Sequence, residues 1–134
     1  MTSVLSKKLN TTAIYTTNHD SDVLYINIHK NGQEIFSYDS APDYFEGGDT
    51  PPAISDIDKL LSEYENIDKQ DFLNVLNSEE VFADDLHYKI AEKLSLPVYS
   101  VGLGYNFLSE AGEEEIRELE NEYSIKVEQI GISN

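Results

Sequence analysis

The segment Ser37–Asp49, SYDSAPDYFEGGD, concentrates the side chains with the clearest chemical potential in this chain of 134 residues. Carboxylates bind hard cations or basic side chains, and exposed aromatic rings supply apolar contact area. Three roles are therefore open for the loop: ligation of a metal ion, docking of a partner, or a plain connection between two elements. The residues in question are Asp39, Asp43, Glu46 and Asp49, with the aromatics Tyr44 and Phe45 and the pair Gly47-Gly48.

The spacing of these carboxylates matches no regular metal or phosphate loop. In an EF-hand loop counted from Asp39, the third and sixth positions would fall on Ala41 and Tyr44 instead of an oxygen ligand and a glycine. A phosphate loop needs a lysine and a hydroxyl after its glycines, whereas Asp49 follows here. An irregular metal site remains the alternative function: a small metal-dependent protein or enzyme that uses the carboxylates of residues 39–49.

Catalytic patterns are not found elsewhere in the chain. There is no cysteine, no serine lies in a G-x-S-x-G elbow, and the histidines His19, His29 and His87 form no zinc-binding pair. A nucleophile needs an activating base, and none can be assigned from the sequence. We therefore expect a protein that is not an enzyme, and predict no catalytic residue, no metal ligand and no cofactor.

Net charge is the strongest global property, at −17 from 26 acidic and 9 basic residues. Residues 1–38 contain three acids and three bases, so their net charge is 3 − 3 = 0. The remaining 23 acids and 6 bases follow from Asp39 onward, and 6 − 23 = −17. An anionic body of this kind repels nucleic acid and attracts a basic surface. High charge can also serve solubility alone, which remains the simpler alternative.

Charge and loop composition together predict a non-enzymatic acidic binding protein that covers a basic protein partner. An immunity protein covers a toxin nuclease in this way, and a nucleic-acid mimic covers an enzyme of nucleic acids. The predicted contact residues are Asp39, Asp43, Tyr44, Phe45, Glu46 and Asp49.

The cellular context is expected to be the cytoplasm. The chain lacks cysteine, which fits a reducing compartment, and its first residues lack the apolar run of a secretory signal. No stretch reaches the roughly 20 apolar residues of a membrane span, so no membrane partner is predicted.

A β-meander is predicted at the start of the chain. Leu24, Ile26 and Ile28 alternate with polar residues, and Asn31-Gly32 suits a type I′ turn before a return strand at Glu34–Tyr38. Ala13–Thr17 is the expected first strand. Three strands joined in this way form an antiparallel sheet.

Helices follow the meander, with predicted caps at Ser55, Asp68 and Ser78 and an end at Pro97. Segment 90–108 could be a helix-turn-helix, but no lysine or arginine occurs between Lys93 and Arg117. Strict alternation from Tyr99 to Phe107 favours a strand.

The chain is expected to close with a helix capped by Ser109 and a final strand near Ile125–Ile130. The helix carries seven acids against Arg117, so its outer face is anionic. This order predicts one α+β domain over residues 1–134: a mainly antiparallel sheet, built from the meander and two later strands, with helices on one face.

Overall fold

The computed structural model describes residues 1–128, which divide into two compact units at the boundary between Val98 and Tyr99. The single domain over residues 1–134 stays a prediction. The strands are β1 Thr12–His19, β2 Val23–Lys30, β3 Gln33–Asp39 and β4 Ala53–Ile54. The helices are α1 Thr2–Lys8, α2 Ile57–Leu61, α3 Lys69–Leu76, α4 Ala83–Lys93, α5 Tyr105–Glu110 and α6 Glu113–Tyr123, with 3₁₀ turns at Tyr44–Glu46 and Val98–Ser100.

The sheet of the first unit is antiparallel throughout, in the order β1-β2-β3-β4. The α+β class and the three-stranded meander are thus confirmed. Between β2 and β3 the register shifts at Ile28/His29, where a β-bulge interrupts the pairing. Strand β4 was not predicted, because two residues are too short to show a periodic pattern.

The turn between β2 and β3 has the predicted backbone, with φ of 51° at Asn31 and 84° at Gly32. Helix α1, which the sequence analysis missed, covers this turn. The buried hydroxyl of Ser6 accepts a hydrogen bond of 2.9 Å from the Gly32 N–H, and the Ser3 hydroxyl donates to the Gly32 carbonyl at 2.8 Å. Since α1 has only seven residues and no side-chain cap, this contact with the turn explains its position better than intrinsic helix propensity.

The core lies between one face of the sheet and helices α2, α3 and α4. Strand β2 contributes Leu24, Ile26 and Ile28, and the rings of Phe36 on β3 and Phe72 on α3 approach to 6.3 Å between centroids. These side chains are almost fully buried. Burial of a large apolar side chain contributes about 2–3 kcal/mol, so this layer supplies most of the stability of the unit.

Two helix starts differ from prediction. The cap of α2 is Asp56, whose carboxylate accepts from the backbone N–H groups of residues 58 and 59, while the Ser55 hydroxyl accepts from the Ser37 N–H and extends the sheet contact. The cap at Asp68 is confirmed. Helix α4 begins at Ala83 and not after Ser78, because the Ala83 N–H bonds the Ser21 carbonyl at 2.8 Å and residues 79–82 run outside the helix.

Helix α4 also ends earlier than the proline predicted. Its last residue is Lys93, and Ser95 adopts a left-handed φ of 51° two residues before Pro97. The Leu96 N–H then reaches back to the Ala91 carbonyl at 2.8 Å. A left-handed residue that returns the chain in this way is a common helix terminator.

The second unit contains the main errors of the sequence analysis. The strand predicted from Tyr99 to Phe107 is wrong, because the chain there forms a 3₁₀ turn, a left-handed turn at Gly102 with φ of 79°, and then α5. Ser109 lies inside α5, and α6 is capped instead by Gly112 and the Glu115 carboxylate. Residues 125–128 are not a strand, and the rest of that prediction lies outside the described residues.

Within residues 1–128, no helix combines the length and the apolar composition that crossing a membrane would require.

The turn at Gly32 gives the first testable prediction. Gly32→Val should destabilise the fold by about 2 kcal/mol or more, because a branched residue avoids positive φ and a Cβ there would lie 3.3 Å from the Lys7 Cβ. Asn31→Gly is the control and should change the free energy of unfolding by less than about 0.5 kcal/mol. Urea unfolding measures both, and equal stability of the Gly32→Val variant and the unmodified chain would contradict the assigned turn.

A second prediction concerns His87 on α4, which is only 7% exposed. Burial lowers the pKa of its imidazole below the ordinary 6.5, and the Asp84 carboxylate opposes this shift. The unfolded chain therefore binds more protons than the native protein as pH falls through 6.5, so stability is full above this pH and declines below it.

Thermal unfolding between about pH 7.5 and about pH 5.5 should accordingly show a smaller loss of Tm in His87→Leu than in the unmodified protein. The control Leu86→Met alters packing on the same helix without removing an ionisable group and should keep the original slope. Identical slopes for all three proteins would exclude the buried imidazole as the source of the pH dependence.

Candidate functional site

The connection between β3 and β4 is an ordered loop organised around Asp43. One oxygen of this carboxylate accepts the Thr50 backbone N–H at 3.1 Å, and the other accepts the Thr50 hydroxyl. The backbone carbonyl of Asp43 accepts the N–H groups of Glu46 and Gly48, both at 3.1 Å. The two ends of the loop are therefore fixed to each other through a single residue.

The two glycines of the loop have different roles. Gly47 adopts a left-handed φ of 73° at the end of the 3₁₀ turn, which glycine tolerates without strain. Gly48 provides space, because a Cβ built at this position would lie 1.9 Å from an oxygen of the Asp43 carboxylate. Gly47 thus allows the turn of the backbone, and Gly48 leaves space for the Asp43 carboxylate. The pair does not resemble a phosphate-binding loop.

Hydrogen bonds of the loop shift the pKa values of two residues. The Thr50 hydroxyl, followed by the Thr50 backbone N–H, lowers the pKa of Asp43, because both bonds favour the ionised carboxylate. The Tyr44 hydroxyl donates to Asp22 at 2.7 Å, and this bond raises the Tyr44 pKa. Tyr44 therefore ties the loop to the turn between β1 and β2.

A cluster of three rings lies on the surface of the loop. Phe45 is 75% exposed, and its ring centroid lies 5.0 Å from His19 and 5.3 Å from Tyr44, edge to face in both cases. Edge-to-face pairs at such distances are favourable and hold the rings in defined positions. An exposed phenylalanine in this setting offers an apolar contact that requires little further ordering.

Beside this cluster lies a cleft of about 610 Å³, between the loop and the segment that joins α3 to α4. Its walls include apolar groups from Tyr38, Pro51, Phe82 and Leu86. Among the described residues that line it there is no lysine or arginine. Five carboxylates line what we call the acidic cleft: Asp22, Asp43, Asp49, Glu79 and Glu80.

The acidic cleft suits a cation with an apolar stem. Its carboxylates repel anions and attract ammonium or guanidinium groups, while the tyrosine, proline and phenylalanine walls can contact methylene groups. Lys89 forms an ion pair with Glu80 and reduces the charge at one end. The remaining acids are the dominant local charge.

The structure brings together only part of the predicted contact set. Asp43, Tyr44 and Asp49 line the acidic cleft. Asp39 lines a separate, shallower depression with Tyr25 and Ile54, and its carboxylate accepts the Ala41 N–H at 3.1 Å.

Two further members of the predicted set, Phe45 and Glu46, are exposed on the 3₁₀ turn outside the cleft lining. Of the predicted residues, Asp43 is chiefly structural, since both of its carboxylate oxygens accept hydrogen bonds within the loop.

The sequence analysis missed the residues that come from other parts of the chain. His19 is the last residue of β1 and Asp22 lies in the turn that follows it, while Glu79, Glu80 and Phe82 belong to a segment predicted to be helical. Ser78 followed by Glu79 and Glu80 is typical of a capped helix start. The pattern therefore predicted a helix there and gave no sign that these acids line the cleft.

Among residues 1–128, no three histidine, aspartate or glutamate side chains converge in a group that could hold a metal ion. The metal-dependent alternative gains no geometric support from this part of the chain. A comparison with protein-family models, curated proteins and solved structures finds no significant match for this chain.

The role of Asp43 can be tested through its pKa. Thr50→Val removes the hydroxyl donor, and Gly48→Ala displaces the carboxylate by steric conflict, so either change should move the Asp43 pKa up toward the ordinary 3.8. An NMR titration of the carboxyl carbon measures the shift. Thr17→Val, on β1, is the matched control and should leave the Asp43 pKa low. An unchanged Asp43 pKa in both loop variants would show that the loop is not organised as described.

Proposed function

We propose that this protein binds a basic protein partner through the acidic cleft and the ring cluster of His19, Tyr44 and Phe45. One observation carries the proposal: exposed rings, held in place by a hydrogen-bonded loop, stand beside a cleft lined by five carboxylates. Apolar anchors surrounded by charge are the arrangement in which a few residues supply most of the affinity.

The charges and the rings would have separate effects on binding. Residues 39–92 contain 15 acids and three bases, a net 3 − 15 = −12, so their field extends over the whole region of the cleft. Such a field accelerates encounter with a basic surface and disfavours acidic competitors. The rings act after encounter, because burial of Phe45 against the partner slows dissociation.

Order in the free protein supports the same proposal. The Asp43–Thr50 and Tyr44–Asp22 hydrogen bonds fix the loop before any partner arrives. A loop that is already ordered loses less conformational entropy on binding. The anionic surface also argues against nucleic acid as the direct ligand, since phosphates would be repelled.

The finer form of the proposal is an inhibitor of a toxin or nuclease, similar in charge to immunity proteins and nucleic-acid mimics. An enzyme that binds nucleic acid has a basic surface, and an acidic protein can cover it. We expect the encounter to occur in the cytoplasm, because a chain without cysteine is suited to a reducing compartment.

The experiment has two stages, of which the second is the test. The chain is used as bait to isolate the protein that co-purifies with it, and the association kinetics of the purified pair are then measured across a salt series. The association rate constant should fall steeply between low and physiological salt.

Charge-reversal variants provide the matched comparison. Asp49→Lys with Glu79→Lys should slow association by about tenfold, while Glu65→Lys with Glu92→Lys makes the same change of charge at exposed residues of the same unit that do not line the cleft and should have a smaller effect. Phe45→Ala should mainly raise the dissociation rate constant, by about tenfold. Asp43 is left unchanged because it supports the loop.

An acidic partner would contradict the proposal, as would an association rate that is indifferent to salt. Equal effects of the cleft pair and the Glu65/Glu92 pair would mean that total charge, and not the acidic cleft, governs binding.

A further inference from the structure

Strand β1 is an open edge of the sheet. It pairs with β2 through all eight of its residues, and within the described part of the chain no strand pairs with its other side. Its last five residues, Tyr15–His19, are all exposed. A long edge presents backbone N–H and C=O groups that can pair with another strand.

This edge lacks the features by which proteins usually protect one. The segment Thr12–His19 contains no acid, lysine, arginine or proline, and the β-bulge of the sheet lies between β2 and β3. The opposite edge, β4, has only two residues. Helix α1 contacts β1 and leaves Val4, Leu5 and Leu9 largely exposed beside it.

The charges that flank β1 are polarised along the strand. Lys7 and Lys8 precede it, and Asp20 and Asp22 follow it. An antiparallel second copy would bring the basic start of each strand to the acidic end of the other. A parallel copy would instead bring like charges together.

We propose that β1 pairs antiparallel with β1 of a second copy of this chain, which forms a symmetric dimer with a continuous eight-stranded sheet. The partner is the same chain because this edge has lysines at its start and aspartates at its end, which complement each other in an antiparallel pair. In addition, residues 1–38 have a net charge of zero, so two such acidic molecules repel each other least in this region.

The side-chain pattern restricts the register of this pairing. Ile14 faces the core side and Tyr15 the opposite side, so the two-fold axis must pass through a residue position and not between two. An axis at Tyr15 pairs seven residues on each strand and brings Lys8 nearer to the partner's acidic turn than an axis at Thr16 would.

Centring on Tyr15 also extends an aromatic contact. The Tyr15 and Tyr25 rings already lie 6.4 Å apart across β1 and β2, edge to face. Two copies would place their Tyr15 rings opposite one another and form a row of four tyrosines across the dimer. Cross-strand aromatic pairs stabilise antiparallel sheets.

The proposal is tested on the full chain alone, without any basic partner, so that its failure is independent of the proposed function. Sedimentation equilibrium should show a monomer–dimer equilibrium. Lys8→Asp alone and Asp20→Lys alone should each weaken the dimer about fivefold, and the two together should restore it, because each reversed charge then meets its complement. Lys93→Asp on α4 is the control for net charge and should change the dimer little.

A cysteine-free chain allows the register to be read by cross-linking. Under mild oxidation Tyr15→Cys should form a disulfide dimer readily, whereas Thr17→Cys, four residues from its symmetry mate in this register, should not. A chain that remains monomeric at about 1 mM would overturn the proposal. So would a dimer in which the double charge reversal fails to restore affinity and the two cysteine variants cross-link equally.

Discussion

The Tyr38 hydroxyl donates a hydrogen bond of 2.8 Å to the Leu76 carbonyl in the buried interior of the first unit. Burial, followed by the nearby Asp39 carboxylate, raises the Tyr38 pKa, so the phenol stays protonated and remains a donor. This bond joins β3 to the last turn of α3, where the chain leaves toward Glu79 and Glu80. Tyr38 also lines the acidic cleft. One side chain therefore connects the strand before the loop to the helix before the segment that forms the opposite wall. Loss of the donor would leave a buried carbonyl unsatisfied, at a cost of about 1–3 kcal/mol.

The surface of the first unit has two regions that differ in charge. On one side, the loop around Asp43 and the segment after α3 present acids and fixed rings. On the other, β1 and α1 contain no acidic residue and present exposed threonine, tyrosine and leucine side chains. The division follows the charge of the sequence, which is zero up to Tyr38 and −17 beyond it. A basic partner and a second copy would therefore use surfaces that adjoin at His19 and Asp22, and binding at one does not require the other.

The sequence predicted the fold well where a local pattern is compatible with only one structure. Alternation fixed β2, and Asn31-Gly32 fixed the turn, because few residues tolerate positive φ at both positions. Prediction failed where a short pattern had two explanations: five alternating apolar residues after Pro97 suggested a strand, yet Gly102 turns the chain and α5 follows. For the site, the loop could be identified from its composition, but Asp22, Glu79 and Phe82 join it only through tertiary contacts, which sequence spacing does not encode.

The central claim is that the acidic cleft and its ring cluster form the face that meets a basic partner. Hydrogen exchange of the backbone amides, measured with and without the co-purified protein, locates that face directly. We expect new protection in residues 40–52, 77–82 and 19–22, with little change along α1, which covers the turn between β2 and β3 and does not line the cleft. Protection confined to α1, or to the β1 edge alone, would contradict the claim.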